Sequence, residues 1–319
     1  MRQKRLLGSL LLFIVAIIWG TAFAFQRVGM DQIEPMTFCA SRMTLSAVIV
    51  GLVSLLRKKN TAFADDAEEI TYRRNTLLGG IGCGVFLALA SLFQQKGIVY
   101  TTAGKAGFIT ALYILIVPII NAVFFKKRNS WLVWFAVLLG VFGMYLLCIS
   151  GSFRLAYGDA LICVCAVVFS GHILCCDHFV KHGDPVRMSA IQFLVTSAIC
   201  WIAAFIFEHP GIPGIVSAVI PILYCGIASG GIGYTLQIVA QKYTDPTVAS
   251  LLMSLESVFA VTAGALILKE RMTAKEFLGC IVMFIAIIIV QIPVKMKEEN
   301  EESKDSFCDS ETDHIITKD

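Results

Sequence analysis

Ten apolar stretches, each about as long as a bilayer is thick, run through this chain from Leu6 to Pro293. A helix needs roughly 20 mostly apolar residues to cross about 30 Å of hydrocarbon, so each stretch is long enough to span a membrane. The pattern predicts an all-α integral membrane protein of ten transmembrane helices. The predicted spans are 6–25, 35–56, 76–95, 104–125, 131–149, 157–178, 186–207, 214–236, 247–268 and 274–293.

The composition excludes several classes of protein. Hydrophobic residues make up 57% of the chain and charged residues 15%, whereas soluble domains carry about 25% charged residues. A water-soluble core is therefore excluded. Nucleic-acid binding has no support, because no basic face with interleaved aromatic residues is present. The chain also has no Gly-rich loop ending in Gly-Lys-Ser/Thr, which argues against an ATP-driven pump.

The eleven cysteines do not form a recognisable ligand pattern. Ten of them lie inside or at the ends of apolar stretches, as is typical of small buried hydrophobic residues. Cys175 and Cys176 are adjacent, and His172 with Cys176 supplies only two ligands, whereas a zinc site needs three or four. The sequence therefore predicts no metal site and no cofactor.

The second five stretches repeat the first five. At an offset of 150, Glu34-Pro35 aligns with Asp184-Pro185; at an offset of 142, Cys83-Gly84 aligns with Cys225-Gly226. Because each repeat has an odd number of spans, the second copy is expected to lie in the membrane upside down relative to the first. Inverted repeats are typical of transporters, in which a site at the repeat interface opens to each side in turn.

The repeat and the loop charges predict the organisation of the chain. Ten spans place both termini on the same side of the membrane. The loops and terminal segments on that side carry sixteen Lys and Arg residues, and the loops on the other side carry seven. The positive-inside rule therefore predicts that both termini are cytoplasmic. The acidic residues 294–319 and the loop around 64–69 are too polar to fold and are expected to be disordered. The predicted segments are a cytoplasmic tail 1–5, a first five-helix repeat 6–149, a linker 150–156, a second five-helix repeat 157–293 and the acidic cytoplasmic tail 294–319.

The chain resembles the EamA-type transporters of the drug/metabolite transporter superfamily. The resemblance is carried by Ala16–Thr21, Pro35 with Arg42, Tyr100–Gly104, Leu112–Pro118, Ser254–Phe259, Lys269–Thr273 and Gly279. It implies ten helices, cytoplasmic termini and movement of small metabolites or amphipathic compounds. The chain departs from the family at Ser257, where the family often has proline, and Lys127 stands where the second repeat has Glu270.

Ionisable groups in mid-membrane are costly, at about 2.5 to 3.5 kcal/mol for a central Arg, Lys or Asp, and mark candidate functional residues. Arg42 lies about 10 Å into the second span at 1.5 Å per residue, and Glu256 lies near the middle of the ninth. Arg42 is expected to attract an anionic group, and Glu256 an amine or a proton, so that together they recognise a zwitterion such as an amino acid. The alternative is a structural ion pair, or an Arg42 bonded to helix-end carbonyls.

The remaining candidates are polar and aromatic residues inside the spans. His172 is expected to be either a hydrogen-bonded packing residue or a proton relay. Trp19 lies away from the interface where tryptophan usually anchors a helix, which favours a cavity-lining role. Gln95 and Gln237 occupy matched positions and are expected either to line two mouths of one pathway or to cap two helix ends. The other candidate lining residues are Thr21, Gln94, Tyr113, Gln192 and Tyr234.

These features predict a secondary active transporter that moves a small organic solute across the cell membrane by alternating access. Export of metabolites or amino acids is the leading hypothesis, with protons as the candidate coupling ion. An importer of a sugar or vitamin precursor with the same fold is the alternative. A membrane-embedded enzyme is disfavoured, because no converging nucleophile, base and metal set is found in the sequence.

Overall fold

The computed structural model describes residues 2–57, 63, 65–124, 126, 130–148, 156–267 and 273–291, and all regular structure within these ranges is helical. Helices are expected here because a backbone in hydrocarbon must satisfy its own hydrogen bonds. The first half contains α1 (Arg2–Gly29), α2 (Pro35–Leu56), α3 (Asp66–Ile98), α4 (Ala103–Thr110), α5 (Tyr113–Phe124) and α6 (Trp131–Cys148). The second half contains α7 (Tyr157–Val180), α8 (Pro185–Phe207), α9 (Ile212–Ser217), α10 (Val219–Leu223), a π-helix (Tyr224–Tyr234), α11 (Thr235–Gln241), α12 (Pro246–Met253), α13 (Glu256–Ile267) and α14 (Ala274–Gln291).

Eight helical stretches within the described residues are long and apolar enough to cross a membrane. They are Gln3–Gly29, Pro35–Leu56, Asp66–Ile98, Ala103–Phe124, Tyr157–Val180, Pro185–Phe207, Val219–Gln241 and Pro246–Ile267. The fifth and tenth predicted spans coincide with α6 and α14, which have 18 residues each; the shorter apolar stretches found among their described residues are Trp131–Gly143 and Phe277–Ala286. The chain is a multi-helix membrane protein, and the number ten stays a prediction.

Two helices begin earlier than the sequence predicts. The first starts at Arg2 rather than at residue 6, so residues 2–5 are helical. The disorder expected around residues 64–69 is wrong for Asp66–Glu69, which form the first turn of α3. The side chain of Asp65 caps this turn by accepting a hydrogen bond from the backbone amide of Glu68, and such a cap satisfies one of the free amides at a helix start.

Several predicted features lie outside the described residues. They are Lys127 and Arg128, the linker 150–156 except Ala156, the motif Lys269–Thr273 except Thr273, and the acidic tail 294–319.

The fourth and ninth predicted spans are both broken near their middle. The fourth consists of α4, with 8 residues, and α5, with 12 residues, joined at Ala111-Leu112. The ninth has the same construction, with α12 and α13 of 8 and 12 residues joined at Ser254-Leu255. Tyr113 and Glu256 are therefore the first residues of two equivalent half-helices.

The two breaks differ in the residues near them. Pro118 lies inside α5, six residues after Leu112, and has no backbone N–H to donate to the carbonyl of Ile114. The second break has no proline. There the hydroxyl of Ser257 donates to the carbonyl of Ser254, and the hydroxyl of Ser254 donates to the carbonyl of Leu251, each at 2.7 Å. Serine hydroxyls that bond to preceding carbonyls bend helices, so Ser257 accompanies a bend at the position where the resembled family often has proline.

α2 and α8 pack side by side in opposite directions. At one end, the carboxylate of Glu208, directly after α8, accepts hydrogen bonds from the backbone amides of Met36 and Thr37 in the first turn of α2. At the other end, Arg57, directly after α2, pairs with Asp184, the N-cap of α8, at 3.2 Å. Each helix therefore ends beside the start of the other.

α6 and α14 are also antiparallel. Gly143 of α6 packs against Gly279 of α14, while Gly140 packs near Ala286. Residue numbers rise along α14 as they fall along α6, so the two helices run in opposite directions.

Candidate functional site

A small cavity lies where the two halves meet. Seven elements line it, namely α1, α2, α3, α4, α7, the π-helix and α13. Its lining residues are Trp19, Phe23, Gln26, Arg42, Gln94, Thr110, Phe169, Ser229, Tyr234 and Glu256. The free space is about 20 Å³, which is room for one water molecule. An organic solute therefore enters only if the surrounding helices move apart.

Arg42 is buried in α2 and has no carboxylate partner among the residues that the structure describes. Its side chain is 2% exposed, and its Nη2 donates to the sulfur of Cys39 at 3.9 Å. Its Nε has no hydrogen-bond partner in the part of the chain that the structure describes. A guanidinium carries five N–H donors, so Arg42 holds unused donors beside the cavity.

Glu256 lies on the other wall of the same cavity, at the first position of α13. It is 2% exposed, and its Oε1 has no hydrogen-bond partner among the described residues. The phenol of Tyr113, the matched residue of α5, lies beside this carboxyl group. Its hydroxyl makes no hydrogen bond of ordinary geometry within the described ranges. Arg42 and Glu256 thus border one space without the structural ion pair that the sequence left open.

Aromatic rings form the apolar wall of the cavity. The ring of Trp19 lies 4.6 Å from that of Tyr234 and 5.7 Å from that of Phe169, centroid to centroid. Phe169 also lies 5.6 Å from the ring of Tyr113. These separations fall within the range of favourable aromatic pairs. The rings therefore pack against one another and form an apolar wall on one side of the cavity.

The π-helix brings backbone groups to the cavity. The indole N–H of Trp19 donates to the carbonyl of Ser229 at 3.2 Å, and the hydroxyl of Ser46 donates to the carbonyl of Gly226 at 2.7 Å. π-Helical turns are rare and occur frequently at functional sites. A Cβ at Gly233 would lie 2.6 Å from the indole nitrogen of Trp19, so this glycine allows α1 to approach closely.

Two amide side chains complete the polar lining. Gln94 donates from its Nε2 to the hydroxyl of Thr110 at 3.1 Å. Gln26 is 3% exposed, and its Oε1 has no hydrogen-bond partner in the described ranges. The cavity therefore offers an unused acceptor at Gln26 as well as the charged groups.

His172 and Gln192 lie next to this cavity rather than in its lining. His172 Nε2 and Gln192 Oε1 are 2.8 Å apart, and both residues are buried. The imidazole stacks on Phe169 with centroids 5.2 Å apart and an interplanar angle of 15°. His172 therefore contacts the cavity through Phe169, one residue behind the wall.

Three further candidates make contacts elsewhere. Gln95 donates to the sulfur of Met30 at 3.2 Å, and Gln237 donates to Gln241 at 3.1 Å. Thr21 donates to the carbonyl of Ile17 one turn earlier at 2.9 Å. None of these three side chains is part of the described cavity lining.

Five lining residues were not among the sequence candidates: Phe23, Gln26, Thr110, Phe169 and Ser229. Trp19, Phe23 and Gln26 are spaced i, i+4 and i+7, which puts them on one face of α1. That periodicity, combined with the polar Gln26, is a signal that identifies the face. No pattern in the sequence identifies Ser229, because its place at the cavity depends on the π-helix, which the sequence does not predict.

A comparison with protein families matches this chain to the EamA-like transporter family over residues 6–149 and again over 156–292. An uncharacterized transporter of Archaeoglobus fulgidus is 28% identical over 295 residues, covering 91% of this chain and 88% of the relative. Two uncharacterized transporters of Bacillus subtilis are also similar. YwfM is 25% identical, covering 91% of this chain and 95% of its own, and YoaV is 22% identical, covering 84% and 91%.

A solved crystal structure has the same fold. It matches with a TM-score of 0.71 at 18% identity, covering 89% of this chain and 96% of its own. The likeness extends over nearly the whole of both chains, so the two share one overall fold.

Proposed function

Because the chain belongs to the EamA-like transporter family, we propose that it is a secondary active exporter of small zwitterionic metabolites such as amino acids. Transport occurs by alternating access across the cell membrane. The names of the similar proteins indicate a transporter rather than an enzyme.

The proposal rests on the positions of Arg42 and Glu256, which face the same cavity from different walls without forming an ion pair with each other. Both groups are buried, and both have polar atoms without partners in the described part of the chain. The cost of holding a charged group in mid-membrane is offset when a solute supplies the missing partner. An amino acid supplies both, because its carboxylate fits the guanidinium of Arg42 and its ammonium group fits the carboxylate of Glu256.

The fold supports ten helices in two inverted five-helix repeats. α2 and α8 occupy matched places in the two halves and run antiparallel, as do α6 and α14. The broken helices have matching lengths of 8 and 12 residues. In such a design, the half-helix starts at Tyr113 and Glu256 bring positive dipole ends toward the binding site.

Alternating access also accounts for the small size of the cavity. A space of about 20 Å³ holds one water, as a closed state of such a cycle requires. Opening of the two halves toward one side and then the other admits and releases the solute. If both termini are cytoplasmic, as the loop charges predict, the opening on the side of the termini faces the cell interior.

A counterflow experiment in proteoliposomes tests the proposal. Vesicles with purified wild-type protein and an internal amino acid mixture are expected to take up external labelled amino acids by exchange, and an imposed pH gradient is expected to drive net movement. Arg42→Gln and Glu256→Gln are expected to abolish exchange or its response to pH. The control Asp31→Asn changes an exposed pair with Arg27 at 3.6 Å. If both cavity variants transport as wild type does at every pH, the proposal is wrong.

A further inference from the structure

Two helices bring three thiols and one imidazole together away from the cavity lining. Cys83 Sγ on α3 lies 3.3 Å from Cys176 Sγ and 3.5 Å from Cys175 Sγ, both on α7. Cys176 Sγ lies 4.0 Å from Nδ1 and 3.6 Å from Nε2 of His172. Cys83, His172 and Cys176 are buried, and one possible ligand atom of each lies within 4.8 Å of the other two.

The sequence alone reveals only two of these donors. His172 and Cys176 are one turn apart on α7, and two ligands do not make a zinc site. The third donor, Cys83, comes from α3, which packs closely against α7 and α8 through small residues. Gly79 lies against Phe179 of α7, and Gly84 lies against Val195 of α8. The fold therefore supplies the ligand that local spacing does not predict.

We propose that Cys83, His172 and Cys176 form a binding site for a divalent thiophilic metal ion, zinc in the cell, with Cys175 adjacent to the fourth position. A tetrahedral zinc ion with Zn–S bonds near 2.3 Å holds its sulfur ligands about 3.8 Å apart. The observed sulfur separation of 3.3 Å reaches that value with a shift of about half an ångström.

Gln192 orients the histidine for this role. Its Oε1 faces His172 Nε2 at 2.8 Å, and an amide oxygen only accepts hydrogen bonds. With its proton on Nε2, donated to this oxygen, the imidazole keeps Nδ1, 4.0 Å from Cys176 Sγ, as the ligand atom. A metal-bound histidine almost always donates its other ring N–H to such an acceptor.

The surroundings favour a divalent ion over a monovalent one. Two thiolates and one neutral imidazole carry two negative charges, so a divalent ion makes the site neutral. Cys83 and Cys176 pack with the apolar residues Val180, Met188, Ile238 and Phe179, and apolar surroundings penalise net charge. The carboxylate of Asp177, next to Cys176, is paired with Lys181 at 2.8 Å. Binding releases the two thiol protons, since the thiolate is the ligand.

Metal in this site joins α3 to α7 directly behind the aromatic wall. His172 stacks on Phe169, which lines the cavity, so coordination of the imidazole also fixes the position of that ring. Metal binding itself does not depend on the proposed transport function.

Cobalt binding to the purified full-length chain tests the site. The reduced protein in detergent is titrated with Co²⁺, and the expected result is one ion per chain with an intense sulfur-to-cobalt charge-transfer band, lost on addition of Zn²⁺. Cys83→Ser and Cys176→Ser are expected to lose the band. Cys225→Ser is the matched control, because Cys225 is equally buried and lies outside the cluster. Size-exclusion profiles establish that each variant is folded.

A second variant keeps the test decisive if the cysteine variants misfold. Gln192→Leu retains all the ligands and removes only the acceptor, so Co²⁺ affinity is expected to fall about 10- to 100-fold. Zinc is also expected to raise the melting temperature of the wild-type protein. The proposal is overturned if the wild type binds no stoichiometric Co²⁺, or if folded Cys83→Ser or Cys176→Ser binds it as tightly as the wild type.

Discussion

The carboxylate of Glu208 accepts a hydrogen bond of 2.7 Å from the backbone amide of Thr37, 171 residues earlier in the chain. The same carboxylate oxygen accepts from the hydroxyl of Thr37 at 2.8 Å. The first amides of a helix have no partner within it, and no side chain of α2 itself supplies the cap, since Glu34 makes no such bond. α8 therefore completes the start of α2, and the two halves hold each other in register at this end.

Replacing Glu208 is expected to destabilise the protein. Glu208→Gln places an NH₂ group against one of the amide or hydroxyl donors, and a lost hydrogen bond to a charged group costs about 1.5 to 3 kcal/mol. The expected result is a melting temperature several degrees lower in detergent. Asp31→Asn serves as the control, because its pair with Arg27 is exposed and exposed pairs contribute little. Equal melting temperatures for Glu208→Gln and wild type would contradict the proposed capping.

Hydropathy located the helices well because length and apolar content decide whether a segment spans a bilayer. The predicted second span, 35–56, coincides with the helix Pro35–Leu56, where proline at the first helical position marks the start. Interruptions inside a span were not predictable in the same way. The break at Ser254-Leu255 depends on serine hydroxyls bonding to nearby carbonyls, and the π-helix keeps the hydropathy of an ordinary helix.

Five of the ten lining residues are candidates from the sequence, namely Arg42, Glu256, Trp19, Gln94 and Tyr234. Arg42 and Glu256 stand out because ionisable groups are rare in mid-membrane, and both line the cavity. Gln95 and Gln237 occupy matched sequence positions, yet they contact Met30 and Gln241. Matched positions identify equivalent places in a repeat, whereas proximity to a cavity depends on how the helices pack.

A methyl group at Gly20 is expected to separate α1 from α13. A Cβ there would lie 2.6 Å from the carbonyl oxygen of Glu256 and 2.8 Å from the amide nitrogen of Ala260, and backbone atoms cannot give way as a flexible side chain does. Overpacking of this kind costs about 1 to 3 kcal/mol. Gly20→Ala is therefore expected to lower the melting temperature and to reduce transport, since Glu256 moves with α13.

The matched control for this substitution is Gly51→Ala. A Cβ at Gly51 meets no atom within 4 Å, and alanine is the better helix former by about 1 kcal/mol. Gly51→Ala is expected to leave the melting temperature unchanged or raised. If Gly20→Ala behaves in the same way as Gly51→Ala, close packing between α1 and α13 is not required.

Arg42→Met is expected to stabilise the protein while removing transport. The guanidinium is 2% exposed and has no carboxylate partner in the described residues, so methionine of similar length removes a cost of at most about 2.5 to 3.5 kcal/mol. Binding groups held without partners commonly trade stability for function. The measurements are melting temperature and counterflow for wild type and variant. A lower melting temperature for Arg42→Met would indicate that Arg42 has a structural role instead.

Cys39 on α2 and Cys200 on α8 provide a direct probe of movement between the halves. Their sulfur atoms lie 3.6 Å apart, so a small rearrangement allows a disulfide under mild oxidation by copper phenanthroline. In a variant whose nine other cysteines are replaced by alanine, oxidation is expected to join the two helices. Mass spectrometry of proteolytic fragments identifies the linked pair.

Alternating access requires the two halves to rock against each other, and α2 and α8 belong to different halves in the proposed repeat. A covalent bond between them is therefore expected to abolish counterflow, and reduction is expected to restore it. The variant that also carries Cys200→Ser controls for oxidation of Cys39 alone, which lies against Arg42, and should keep its activity under oxidant. If the linked protein transports at the rate of the reduced protein, the α2–α8 contact stays fixed throughout the cycle, and the movement that opens the cavity lies between other helices.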